Sequence, residues 1–189
     1  MLRHGETSGN SSVRFHGAAD VPLSEAGRAQ VREAARWLRQ ECFDLVVASP
    51  LRRSWEAAAL LAGGAPIRIE DGLREIDFGR WEGLSAEEIE RLDPVLYREW
   101  RAKAPGFEYP GGERRARFRA RVLRAFDRIE ASGAEGVLLV GHKGVIRTIA
   151  EHLLGSPLAD GEPALACVVS LSRDPAGTWF LGRRSSEPA

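Results

Sequence analysis

Short apolar runs alternating with helix-patterned stretches limit what this chain can fold into more than any other feature. Phe43 to Ala48 reads as a buried strand, Ile67 to Ile69 as a shorter one, and Gly136 to Val140 as the clearest of the three. The stretches between them carry helical spacing. Ser24 is placed to cap a helix after Pro22-Leu23, and Val31, Ala34, Ala35 and Leu38 give it one apolar face to about Gln40. Leu51 to Ala62 is alanine-rich and closes on Gly63-Gly64. Phe118, Val122, Ala125, Phe126 and Ile129 keep helical spacing between Glu113 and Ala131, and Val145, Ile146, Ile149 and Leu153 mark a helix after the clearest strand. This alternation predicts an α/β fold on a mainly parallel sheet. Leu165 to Leu171 and Thr178 to Leu181 would add two last strands, joined by a turn through Asp174-Pro175-Ala176-Gly177.

Between Asp71 and Gly112 the periodicity weakens and aromatic residues gather. Ser85 with Glu88 fits a capping box for a helix from near Ala86, and Asp93-Pro94 opens another to about Lys103. We expect an insertion at about 71–112 that covers one end of the sheet, inside a single domain over 1–189. Net charge is zero, with 27 basic and 27 acidic side chains, so nothing points to nucleic acid. Cys42 and Cys167 lie far apart without ligand spacing and read as two buried small hydrophobes. No apolar run reaches membrane-spanning length and the start lacks a signal-peptide layout, so a cytoplasmic protein is expected.

The chemistry gathers at predicted strand ends. Arg3-His4-Gly5-Glu6-Thr7 follows the first strand, Arg52-Arg53 the second, and His142 follows Val137-Leu138-Leu139-Val140. The carboxyl edge of a parallel sheet is where βα loops converge on a ligand, so these distant residues would meet. An imidazole attacks phosphorus well, and a guanidinium matches two phosphate oxygens at once. To attack, the ring must be neutral, with its other nitrogen donating to something such as a backbone carbonyl; nearby cations disfavour imidazolium.

Arg3-His4-Gly5-Glu6-Thr7 with Asn10, Ser49-Pro50-Leu51-Arg52-Arg53, Leu73-Arg74-Glu75-Ile76-Asp77-Phe78-Gly79 and Gly141-His142-Lys143-Gly144-Val145-Ile146-Arg147 occur in that order. In these motifs, and in Gly17, Asp20, Pro22-Leu23 and Trp81-Glu82-Gly83, the chain resembles the histidine phosphatase superfamily, which includes the cofactor-dependent phosphoglycerate mutases. The resemblance implies a three-layer α/β/α fold with a small helical insertion over the site. It implies that His4 is phosphorylated, that Arg3, Arg53 and His142 stabilise the phosphoryl charge, and that Glu75 protonates the leaving alcohol. Arg53 rather than Arg52 falls on the family's position. Asn10 matches an amide contact to phosphate, with an ordinary turn residue as its competitor. Glu6, Asp77 and Glu82 are read as structural or solvated rather than catalytic.

Two departures stand out. Only Met1 and Leu2 precede Arg3, fewer than the roughly 5–6 residues of an average strand, so the first strand is stunted or the natural start lies upstream. Lys143 sits where the family commonly has a small residue; it is either a cation serving the phosphate site or a surface lysine. Positive charge there opposes the helix dipole, which favours the functional reading. The short middle segment points to a phosphomonoester hydrolase using a phosphohistidine, nearest in size to the bacterial α-ribazole and broad-specificity phosphatases. A cofactor-dependent mutase is the runner-up, and an inactive binding protein of the same fold is weaker still. A metallohydrolase using His4, His142 and Glu75 is disfavoured because two arginines would repel the cation, so no metal or cofactor is expected. The expected partner is a small phosphorylated substrate rather than nucleic acid or membrane, with a homodimer left open. Arg14, His16, Arg98 and Arg101 are candidates to contact a charged substrate. Trp81, Tyr97, Trp100, Phe107 and Tyr109 are read first as packing and second as a wall for a sugar or nucleoside.

Overall fold

The computed structural model describes residues 1–184. Four parallel strands form the central sheet: β1 (Leu2–Arg3), β2 (Leu45–Ala48), β3 (Ile67–Ile69) and β4 (Val137–Gly141), in the order β1-β4-β2-β3. Each buried strand points alternate residues to opposite faces, and both faces are apolar. Val46, Ala48, Leu138 and Val140 pack with Val31 and Ala34 of α1 (Glu25–Leu38) and Ala57 and Ala58 of α2 (Arg52–Leu61). Val47 and Leu139 face the other way, onto Phe118, Val122, Ala125 and Ile129 of α5 (Arg115–Glu130) and Val145 and Ile149 of α6 (Lys143–Leu154). This is the two-sided burial that continuous apolar strands require. None of the described helices is long and apolar enough to cross a membrane.

Several local signals behave as the sequence expects. Ser24 Oγ accepts from Gly27 N–H at the start of α1, and Ser85 and Glu88 form both halves of the capping box that opens α3 (Ala86–Leu92). Pro94 begins α4 (Pro94–Arg101). Other expectations need correction. The strand after α6 starts later than Leu165: β5 is Val169–Arg173, and it pairs antiparallel with β6 (Trp179–Arg184) in a separate hairpin. The stretch before it is committed elsewhere, since Cys167 O accepts from Arg3 N–H and Ala166 N–H donates to His4 O. Cys42 is exposed, in the loop after α1, and only Cys167 is buried.

Residues 71–112 build their own aromatic cluster. Trp81, Ile89 and Phe107 are buried, with Phe15, Phe78, Leu84, Tyr97, Trp100 and Tyr109 packed around them. Trp81 touches four ring neighbours within 6.3 Å, and its indole N–H donates to Asp93 at 2.8 Å.

Candidate active site

His4 leaves β1 at the carboxyl edge of the sheet and is almost fully buried. The turn behind it needs glycine: a Cβ on Gly5 would collide with the Gly27 carbonyl of α1, and one on Gly27 with the Glu6 carbonyl. His4 Nδ1 lies 2.7 Å from the Gly5 carbonyl. A carbonyl only accepts, so Nδ1 carries the proton and Nε2 keeps its lone pair. Burial first, then the charges of Arg53 and Arg3, hold this imidazole well below the usual histidine range.

His142 leaves β4 beside it, fully buried, with ring centres 5.3 Å apart and planes at 62°. Its Nε2 is 2.8 Å from Ser49 Oγ, which also accepts from Leu51 N–H. Ser49 O–H can therefore donate to Nε2 and leave Nδ1 protonated. Burial, then Arg53 and His4, keep this ring neutral as well.

The two arginines are fixed by backbone carbonyls. Arg53 is fully buried at the start of α2, and its terminal nitrogens donate to the carbonyls of Ala19 (2.6 Å), Gly17 (2.7 Å) and His16 (3.0 Å). Burial lowers its guanidinium to about 10, still charged at neutral pH. Arg52, its neighbour, is exposed and pairs with Glu56 at 2.7 Å. Arg3 donates to Pro163 O at 2.8 Å.

Glu75 arrives from the segment after β3. Its Oε1 accepts from Ile76 N–H at 3.0 Å and its Oε2 from Gly144 N–H, the residue but one after His142, at 2.9 Å. A Cβ on Gly144 would strike Oε1, so the glycine makes room for the carboxylate.

Four buried side-chain nitrogens among the described residues have no hydrogen-bond partner: Arg3 Nε, His16 Nδ1, Arg53 Nε and His142 Nδ1. They share one neighbourhood, because Arg3, Arg53 and His16 all perturb His4, and Arg3, Arg53 and His4 all perturb His142. A buried unpaired donor costs about 1–3 kcal/mol, so this cluster suits a ligand made of acceptor oxygens. His16 differs from the others. Its Nε2 sits 2.6 Å from the Gly9 carbonyl and so carries the hydrogen, which leaves Nδ1 a lone pair.

Not every predicted residue joins the cluster. Asn10 is exposed at a left-handed position, φ 58°, and acts through its backbone, with its carbonyl accepting from Val13 and Arg14. Arg14, expected at a charged substrate, is committed to Glu88 (2.7 Å) and the Gly83 carbonyl (2.6 Å). Arg98 and Arg101 lie exposed on α4. Glu82 is structural: its carboxylate accepts from the backbone of Gly17, Ala18, Ala19 and Phe78. Glu6 and Asp77 likewise accept from backbone N–H groups nearby. Sequence reasoning missed Ser49 as the partner of His142 and Gly144 as the seat for Glu75. Their signal was position, since they belong to the motifs that carry Arg53 and His142.

Comparison with known proteins points the same way. A model of the histidine phosphatase superfamily (branch 1) matches residues 1–184. Glucosyl-3-phosphoglycerate phosphatase of Mycobacterium tuberculosis is 36% identical, over 96% of this chain and 86% of that protein. Adenosylcobalamin/alpha-ribazole phosphatase of Salmonella typhimurium is 33% identical, over 84% and 80%. The solved mycobacterial glucosyl-3-phosphoglycerate phosphatase in complex with VO3 superposes with a TM-score of 0.83 at 34% identity, covering 96% of this chain and 95% of that one.

Proposed function

This chain belongs to the histidine phosphatase superfamily and is a phosphoric monoester hydrolase of small phosphorylated metabolites; from that premise we propose how its own residues do the chemistry. His4 Nε2 attacks phosphorus in line with the ester oxygen, and the P–O bond breaks as a P–N bond forms. Glu75 acts as the acid that gives a proton to the departing alkoxide. The resulting carboxylate then takes a proton from water, which attacks phosphorus and releases His4 and inorganic phosphate.

Arg3, Arg53 and His142 offer their free nitrogens to the phosphoryl oxygens throughout, and these donors are set before the substrate arrives. Asn10 adds its amide if the turn that carries it folds inward over bound phosphate. Residues 71–112 act as a cap on this edge of a single domain, with their aromatic side chains spent on holding the cap together.

The observation that carries this reading is the set of partnerless nitrogens gathered round a neutral imidazole with a free Nε2. The test is to quench the enzyme during turnover of a 32P-labelled phosphomonoester, with a strong chelator present. Label should remain on the protein, stable to alkali and lost in acid, and should vanish in His4→Ala. Label that survives in His4→Ala would overturn the assignment.

A further inference from the structure

Two cations near Glu75 lie outside the phosphoryl chemistry. Lys143 is half-buried at the first position of α6, and none of the described hydrogen bonds or ion pairs engages its ammonium. Arg121 of α5 is the opposite case, because its guanidinium is fully engaged. Its Nε and Nη2 donate to the two carboxylate oxygens of Glu113 at 2.8 and 2.7 Å. Nη1 donates to the carbonyls of Gly72 (2.9 Å) and Arg74 (2.7 Å), and Nη2 also donates to that of Glu75 (3.0 Å). A guanidinium carries five N–H donors, so all five are in use and none remains for a substrate.

The three carbonyls belong to the stretch that delivers Glu75. That stretch runs from the 3-10 turn Asp71–Leu73 to the 3-10 turn Gly79–Trp81, outside any α-helix or strand, so its carbonyls need donors from elsewhere. Arg121 supplies them before the acid and at it. Glu113 N–H supplies one beyond it, to the Asp77 carbonyl at 2.9 Å. The guanidinium carbon also lies 4.8 Å from the centre of the Phe118 ring, and a Cβ on Gly144 would press on that same ring. Gly144 N–H is the group that holds Glu75 Oε2. Arg121 therefore braces the backbone from which the carboxyl projects and, through Phe118, the turn of α6 against which it rests. With side chains only 20% and 13% exposed, Arg121 and Glu113 are not screened as a surface ion pair would be.

We propose that Arg121, paired with Glu113, is a positioning residue for Glu75, fixing the acid where proton transfer to the leaving oxygen needs it. This rests on the reading of Glu75 as the acid. A lysine could not replace Arg121, since one ammonium offers three donors from a single point, too few to hold Glu113 and three carbonyls. The consequence is selective. Esters whose leaving group needs a proton depend on the brace, and esters that leave unaided do not.

The experiment measures phosphate release from glycerol 3-phosphate and from p-nitrophenyl phosphate in Arg121→Lys, in Glu75→Gln and in the double variant. The readout is kcat/KM, which reports the step in which the alcohol leaves. Arg121→Lys should lower it by about tenfold for the glycerol ester and by about threefold at most for the nitrophenyl ester. In the Glu75→Gln background the same substitution should cost the glycerol ester nothing further, since no acid is left to position. Glu113→Gln keeps the shape of the pair and should move the two esters apart in the same direction; it carries the test where Arg121→Lys does not fold. The proposal is overturned if both esters fall by the same factor, or if the loss persists in the double variant. Separation of the esters by Glu75→Gln but not by Arg121→Lys would remove the brace and leave the acid in place. No separation by Glu75→Gln would remove both.

Discussion

The carboxyl edge of the sheet and the 71–112 segment both bury polar groups, and they treat them in opposite ways. In the segment, partners are complete: Trp81 N–H meets Asp93, Asp93 also pairs with Arg80 at 2.6 Å, and the Ser85–Glu88 box closes the start of α3. At the sheet edge, two arginines and two histidines each leave a buried nitrogen unmet. Completed polar pairs hold a structure together, whereas unmet donors such as those of Arg3, Arg53 and His142 store a cost that only a ligand removes. One region is built to stay as it is, and the other to receive an anion.

Substitutions that separate activity from stability test this contrast. His4→Ala should lower kcat by on the order of 10⁴-fold or more, because no other group can take the phosphoryl, while its melting temperature stays near that of the wild type. Trp81→Ala should do the reverse. It empties a fully buried site and costs about 3–5 kcal/mol, seen as a midpoint shift in urea, with kcat per folded molecule changed only severalfold. A Trp81→Ala enzyme as stable as wild type would break the comparison.

Glu75→Gln sharpens the division of labour inside the site. Turnover of an alkyl phosphate should fall by about 10²-fold, and that of p-nitrophenyl phosphate far less, since nitrophenolate leaves without a proton. Equal losses on both esters would remove Glu75 from the acid role.

The last effect concerns pH. His4 and His142 are held neutral in the fold, with proton affinities well below those in the unfolded chain. As pH falls below about 6.5 the unfolded chain takes up protons that the native state refuses, so stability drops by about 1.4 kcal/mol per pH unit for each ring. The loss continues until the folded rings protonate, and it is absent above the unfolded value. Urea denaturation between pH 7 and pH 5 should show this slope, reduced in His142→Asn. An unchanged slope in that variant would show that the ring was not held neutral.

Much of this was legible in the chain, for identifiable reasons. Strands buried on both faces must be continuously apolar, so β2 and β4 announced themselves, and Ser24 and Ser85 marked helix starts through side-chain chemistry. The resemblance put Arg53 rather than Arg52 on the family's position, and the structure buries Arg53 and exposes Arg52. What stayed hidden depended on three-dimensional approach. The glycine at 144 is needed only because Glu75 comes to it from residues far back in the chain. Ser49 gains meaning only when β2 and β4 are neighbours in the sheet. Arg14 looked free until Glu88 was placed opposite it. Val169–Arg173 began later than its apolar run because Cys167 and Ala166 had already bonded to Arg3 and His4.

Arg53 leaves a last consequence. Three of its five N–H groups tie down carbonyls of the His16–Ala19 turn, and its buried Nε is left over for a guest. A single-headed lysine in its place would have to choose between steadying that turn and greeting the substrate. Evolution at this position is thereby confined: the side chain is a hinge pin and a hand at once, and no residue with fewer fingers can serve as both.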